Sequence, residues 1–331
     1  MSLLFSPFTV ANLELRNRIV MPPMATAIEG PGGAREDDGL PSQSTIAYYQ
    51  ERAANGVGMV IVEHTYVSRR GKAHRGQIGL DSDQAIPAFR GLSHAIKTSG
   101  AVAAIQLNHV GAAATPDVTG GEPMGPSEAP VPRSQRVPRA MTTEEIRLVQ
   151  EQFAWAARRA QLAGFDAVEI HSAHGYLGTQ FLSPITNKRT DEYGGSLANR
   201  ARFLLETVAL VKERVGQDFP VFVRLGTTDG IPGGFEVDEA VQVAKMLEDA
   251  GVALIDVSGG FSGSRPQGVR PGYFVPNASA IKKNVTIPVM VTGGITDAGF
   301  AEKVLQEGHA DLIGVGRAIL RDPNWVIKAK I

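Results

Sequence analysis

Six times along the chain an amphipathic stretch closes on a glycine, and a few residues later a short apolar run rich in β-branched residues begins. Gly56 precedes Met59-Val60-Ile61-Val62, Gly100 precedes 102–105, Gly164 precedes 167–170, Gly216 precedes 221–223, Gly251 precedes 253–257 and Gly308 precedes 312–315. A glycine just past a helix takes the left-handed conformation that stops it, and runs apolar at every position read as strands buried on both faces. The stretches between them read as helices. Thr142-x-x-Glu145 is a capping box that opens a helix carrying Ile146, Val149, Phe153, Ala156 and Ala160 on one face. Leu197, Ala201, Leu204, Val208, Val211 and Val215 recur at alternating spacings of four and three, another apolar helical face, and Ala240, Val243, Leu247 and Ala250 do the same. Adding 19–24 and 288–293 makes eight strand candidates with seven helical intervals. Alternating strand and helix predicts a parallel sheet. Eight such units close most economically as a (β/α)8 TIM barrel, with a doubly wound open sheet as the alternative. Residues 5–16 read as a β-hairpin capping the bottom of the barrel. Residues 111–141, Pro/Gly-rich and without periodicity, follow strand three and read as an active-site loop insertion. The whole chain, 1–331, is expected to be one domain.

Composition narrows the chemistry. There is no cysteine, which removes disulfides, Fe–S clusters, Cys-zinc sites and thiol nucleophiles. Thirty-three Lys and Arg against 34 Asp and Glu argue against nucleic acid or a membrane surface as partner. No apolar run approaches the roughly 20 residues of a membrane span, and Met1–Pro7 shows no export signal, so a cytoplasmic location is expected.

In a barrel of this kind the chemistry gathers at the C-terminal strand ends. Gly293-Gly294 and Gly316-Arg317, after the last two strands, combine bare backbone with a guanidinium, a phosphate signature; the alternative is plain turns and a surface charge. His171 and His174 are three apart, with Tyr176 two further on. Two neutral imidazoles can donate to one carbonyl oxygen and a tyrosine can deliver a proton, whereas a metal pair or packed histidines would use the same residues differently. Arg224 ends an otherwise apolar strand and requires an anion, either a bound cofactor or an internal ion pair with Asp229 or Glu169. Gln106 offers donor and acceptor to a planar heterocycle edge.

The string His171-Ser-Ala-His174-Gly-Tyr176-Leu-Gly-Thr-Gln-Phe-Leu-Ser-Pro184, followed by Asn187-Lys-Arg-Thr-Asp-Glu-Tyr-Gly-Gly-Ser196 and Asn199-Arg200, closely resembles the old yellow enzyme family of FMN-dependent NAD(P)H oxidoreductases. Leu4-Phe-Ser-Pro7, Asn17-Arg-Ile-Val-Met-Pro-Pro-Met24, Gln106–His109, Val221–Arg224 and Gly293-Gly294…Gly314-Val-Gly-Arg317 match in order along the whole chain. The resemblance implies FMN held non-covalently in a TIM barrel and reduced by NADH or NADPH. Pro23, Met24 and Ala25 would lie against the flavin, Gln106 at its pyrimidine edge, Arg224 beside N1/O2, and Gly293, Gly294, Gly316 and Arg317 around its phosphate. His171 and His174 would bind a substrate carbonyl and Tyr176 would donate the proton to an α,β-unsaturated carbonyl compound. Quinones, nitro compounds and dienoyl thioesters are alternative substrates, a non-catalytic flavin carrier is the alternative role, and a homo-oligomer is left open. Three positions depart from the family pattern. Ala25 replaces a Cys or Thr, Ala27 stands where one subclass places a Tyr, and His64, at a strand end that is usually small, reads as packing rather than narrowing the pocket. Fourteen residues follow Arg317, so an arginine from a neighbouring subunit's C-terminal arm is not expected in the site.

Overall fold

The computed structural model describes residues 2–26, 39–132, 136–266 and 268–330. Eight parallel strands, β1 (Ile19–Met21), β2 (Met59–Tyr66), β3 (Val102–Asn108), β4 (Ala167–Ser172), β5 (Val221–Gly226), β6 (Leu254–Ser258), β7 (Val289–Val291) and β8 (Leu312–Gly314), pair in chain order, and β8 returns to β1. The result is a closed (β/α)8 TIM barrel rather than an open sheet. β1 stops short of the predicted 19–24 because Pro22 and Pro23 have no N–H for the ladder. β7 stops short of 288–293, where Gly293 turns to φ +125°.

Among the described residues each of the seven intervals between strands holds one helix of eight residues or more: α1 (Gln43–Ala54), α2 (Ile86–Thr98), α3 (Thr143–Leu162), α4 (Leu197–Val215), α5 (Val237–Asp249), α6 (Val275–Lys282) and α7 (Ala298–Gln306). The capping box before α3 forms: Thr142 Oγ1 accepts from Glu145 N at 3.2 Å, and Glu145 Oε2 accepts from Thr142 N at 2.9 Å. All five predicted apolar residues of α3 are buried. Of the predicted α4 face, 201, 204, 208, 211 and 215 are buried, and Leu197 is partly so.

Strand residues alternate between two cores. Val168 and Ile170 of β4, Val221 and Val223 of β5, and Ile255 and Val257 of β6 face the helix layer. Ala167, Phe222 and Leu254 fill the lumen with Val20, Ile61, Ala104, Met290 and Leu312. Antiparallel strands Phe8–Val10 and Leu13–Leu15 form the predicted hairpin, and their Val10 and Leu15 seal this plug from below. The described part of 111–141 holds a single turn (Gly111–Ala113), a short helix (Pro116–Thr119) and a parallel pair, Met124–Gly125 with Arg139–Ala140. Each piece is too short to show periodicity. Among the described residues no helix is long and apolar enough to cross a membrane.

Candidate active site

The alternation that builds the apolar plug continues upward and changes character. One inward position above the plug, the strands carry Glu63, Gln106, Glu169, Arg224 and Asp256, all buried. One position higher, His171 and Ser258 form part of the rim. Register fixes the neighbours: Gln106 lies opposite Glu169, and Arg224 lies opposite both Asp256 and His171. Arg224 Nε lies 3.0 Å from Asp256 Oδ2, although its N–H does not point at the oxygen, and Nη1 donates to Pro23 O at 3.4 Å. The ion-pair partner of Arg224 is therefore Asp256, not Asp229 or Glu169. Asp229 points into the loop layer, where it accepts from Ser183 Oγ at 2.6 Å, Phe235 N at 2.8 Å and Phe261 N at 3.2 Å. Glu169 Oε1 accepts from Gln106 Nε2 at 2.7 Å. Burial, then the nearby charge of Asp256, pushes the Glu169 carboxyl well above the ordinary carboxylate range. Burial also pushes Asp256 up, to about 6, with Arg224 pulling it back.

At the end of β4 the backbone turns sharply. His174 adopts φ +58°, a left-handed conformation unusual for a side-chain-bearing residue and typical of functional turns. The turn folds the segment back, so His171 stands 5.0 Å, centroid to centroid, from both His174 and Tyr176. Ala173 N–H donates to His171 Nδ1 at 3.2 Å. This leaves the ring proton on Nε2, as a donor. Burial, followed by the neighbouring His174 and Arg224, keeps His171 neutral. His174 Nε2 is 2.7 Å from Ser258 Oγ on β6. No group of three His, Asp or Glu among the described residues is placed to hold a metal ion.

His64 packs beside this cluster. Its ring stacks on Tyr176 at 6.0 Å with 23° between the planes. Gln77 Nε2 contacts its Nδ1 at 3.1 Å and donates to its carbonyl at 2.9 Å. Burial, with His74 and Arg224 nearby, lowers its pKa to about 3, so it packs beside Tyr176 as a neutral ring.

On the β7–β8 side a cavity of about 260 Å³ is lined by Met24, Arg224, Gly293, Gly294, Gly316 and Arg317, among others. Gly293 and Gly294 hold positive φ, +125° and +74°, and a side chain would crowd the cavity. A Cβ on Gly294 would sit 3.0 Å from Tyr273 and 3.3 Å from Arg317 Nη2, and one on Gly316 would sit 2.9 Å from Met24 Sδ. Bare backbone beside a guanidinium suits a phosphate, and Arg224 at the inner end suits an anionic or electron-rich ring edge. The donor set fits a flat heterocycle that ends in a phosphate. Arg265 and Tyr273, both lining this cavity, were not legible from the strand-end pattern, because they come from the loop after β6. Arg317 Nη2 donates to Tyr273 Oη at 3.0 Å. Ala25 is exposed and Pro23 is buried, and Ala27 lies outside the described residues.

A family model described as NADH:flavin oxidoreductase / NADH oxidase matches residues 3–331. The chain is 43% identical over 334 residues to an NADH oxidase of Thermoanaerobacter brockii, covering 99% of this chain but 50% of that protein. It is 40% identical to an NADPH dehydrogenase of Bacillus velezensis, covering 98% of this chain and 94% of the relative. A solved structure of morphinone reductase in complex with tetrahydroNAD superimposes with a TM-score of 0.85 at 30% identity, covering 99% of this chain and 90% of that one. The chain thus spans about half the length of one curated relative and nearly all of the other.

Proposed function

The chain belongs to the NADH:flavin oxidoreductase / NADH oxidase family, and from that premise we propose that it is an FMN-dependent NAD(P)H oxidoreductase that reduces the C=C bond of α,β-unsaturated carbonyl compounds. When bound, FMN supplies the hydride chemistry, taking a hydride from NADH or NADPH and delivering it to the β-carbon of the acceptor. Gly293, Gly294, Gly316 and Arg317 would hold its phosphate, Arg224 and Gln106 its pyrimidine edge, and Pro23, Met24 and Ala25 would lie along it. The observation that carries the ene-reductase reading is the neutral His171, with its proton confined to Nε2, set 5.0 Å from both His174 and Tyr176. Neutral imidazole donors polarise a carbonyl oxygen, and losing one such donor costs about 10²–10³ in rate. The Tyr176 hydroxyl delivers the proton to the α-carbon.

Photoreducing the FMN-loaded protein without oxygen and adding 2-cyclohexenone tests this. The expected outcome is rapid return of the oxidised flavin absorbance with cyclohexanone formed. Tyr176→Phe should slow that step by about 10²–10⁴ and leave reduction by NAD(P)H intact. Flavin that stays reduced with the enone, yet reoxidises promptly with a quinone, a nitro compound or an enoyl thioester, overturns the enone reading in favour of that acceptor.

A further inference from the structure

Asp256 presents a buried charge with unusual surroundings. Both of its oxygens are fully buried and accept no hydrogen bond, and what holds its charge is Arg224, with Nε at 3.0 Å. A carboxylate so placed is costly unless a counter-charge is permanently available. β7 sets uncharged Met290 beside it, and β5 supplies Arg224. On the far side of β5, β4 supplies Glu169, whose Oε2 is likewise buried and unpartnered. Arg224 has a second client, because it also lines the cavity that the glycines and Arg317 shape for a cofactor. One guanidinium balances one negative charge. If a group bound in that cavity gains a negative charge, it competes with Asp256 for the same cation.

We propose that Asp256 takes up one proton from solvent each time FMN bound in this cavity is reduced and returns it on reoxidation, so that Arg224 always balances a single negative charge. The inference rests on the reading that this cavity holds FMN. The step balances as follows: the nicotinamide C–H bond breaks, its electron pair and hydrogen form an N–H bond on the flavin, and NAD(P)⁺ leaves. The bound flavin is then one unit more negative, and an Asp256 carboxylate oxygen forms an O–H bond with a proton from water. When an acceptor removes the hydride, that O–H bond breaks and the proton returns to water. Burial and the charge of Asp256 push Glu169, beside Gln106, toward its neutral form, which favours one charge at Arg224 rather than two. Asp256 acts here through Arg224, as a charge-balancing residue, and need not touch the flavin.

The test is the midpoint potential of the FMN-loaded protein from pH 5 to 9, read from flavin absorbance against reference dyes. For a two-electron couple each proton taken up contributes about 30 mV per pH unit. Below about pH 6 Asp256 already carries its proton in both states, so only the proton carried by the hydride counts and the slope is about 30 mV. Above that, the slope should steepen to about 60 mV. Asp256→Asn should follow the shallow line throughout, meeting the wild type in acid and lying above it where Asp256 is ionised. A second proton taken by the flavin itself gives the opposite curvature, steep in acid and shallow in alkali. That result in the wild type, or a shallow line over the whole range, overturns the proposal without any variant. A protein that takes up no FMN, or whose FMN NADPH cannot reduce, overturns the oxidoreductase reading and this inference with it. FMN reduced by NADPH along a shallow line overturns this inference alone.

Discussion

Arg317 enters the cradle from the first turn of the short helix Arg317–Arg321, with its guanidinium steadied by the Tyr273 hydroxyl. A charge-assisted contact to phosphate contributes about 1.5–3 kcal/mol, or about 10- to 150-fold in affinity. Arg317→Ala should weaken FMN binding by that factor in a flavin-fluorescence titration. An unchanged Kd would move the phosphate toward Arg265, the other guanidinium lining the same cavity. The strand acids teach a different lesson at this scale. Glu169 and Asp256 share the inward phase of Arg224, two residues above Ala167 and Leu254 of the plug. A reader who follows every second residue, rather than the apolar run as a whole, finds the polar layer in the sequence. What phase alone does not show is that Arg224 would choose Asp256 over Glu169: both lie on strands adjacent to β5, but the register sets Asp256 level with Arg224 and Glu169 level with Phe222.

The segment from 171 to 200 is mostly scaffold. Only its first turn carries His171, His174 and Tyr176. Beyond it, Gln180 Nε2 donates to Val110 O at 2.9 Å and Gly175 O at 2.8 Å, while its Oε1 accepts from Ala112 N at 2.9 Å. One buried side chain thus ties the short helix Leu177–Leu182 to the loop after β3. Asn187 Nδ2 donates to Phe181 O and Tyr193 O, and Arg200 reaches Leu182 O and Glu239. Gln180→Leu would strand two buried backbone groups, Gly175 O and Ala112 N, each costing about 1–3 kcal/mol, since Val110 O keeps the Ala113 N–H, whereas Thr142→Ala removes one exposed cap worth about 1 kcal/mol. Urea unfolding should therefore show a loss of roughly 2 kcal/mol or more for the first and about 1 for the second. Equal losses would mean that the Gln180 bonds are replaced by water.

For the molecule as a whole, buried titratable groups set an acid limit. His64 and His109 are fully buried and stay neutral down to about 3, chiefly through desolvation. Unfolded imidazoles protonate near 6.5. Between those values the unfolded chain binds the extra protons, so each residue costs about 1.4 kcal/mol of stability per pH unit as pH falls below 6.5. Asp256 works the other way. Its folded pKa of about 6 lies above the ordinary 3.8, so its contribution is fully present below 3.8 and is lost as pH rises through 6. His171 and Glu169, shifted down and up, oppose each other. Two imidazoles outweigh one acid, and stability should fall by roughly 3 kcal/mol between pH 6.5 and 4.5. Asp256→Asn should steepen the fall. Urea midpoints at pH 7.5 and 4.5 decide it, and a flat profile would show that these imidazoles are not held neutral.

The barrel was legible because strand, helix and glycine stop recur locally, and because closure is the economical way to bury eight strands apolar on both faces. The cradle and the histidine turn were legible for the same reason: Gly293, Gly294, Gly316, Arg317, His171, His174 and Tyr176 sit at strand ends, whose place in this architecture is known in advance. Tertiary structure alone decided the level at which side chains meet between strands: Arg224 with Asp256 and Gln106 with Glu169 on adjacent strands, and His174 with Ser258 over the strand between them. It also decided which nitrogen of His171 carries the proton, because the left-handed turn at His174 folds the Ala173 N–H back onto the ring. Local periodicity fixes which way a side chain points. Which partner it meets depends on barrel register, and register is a property of the closed sheet rather than of any one segment.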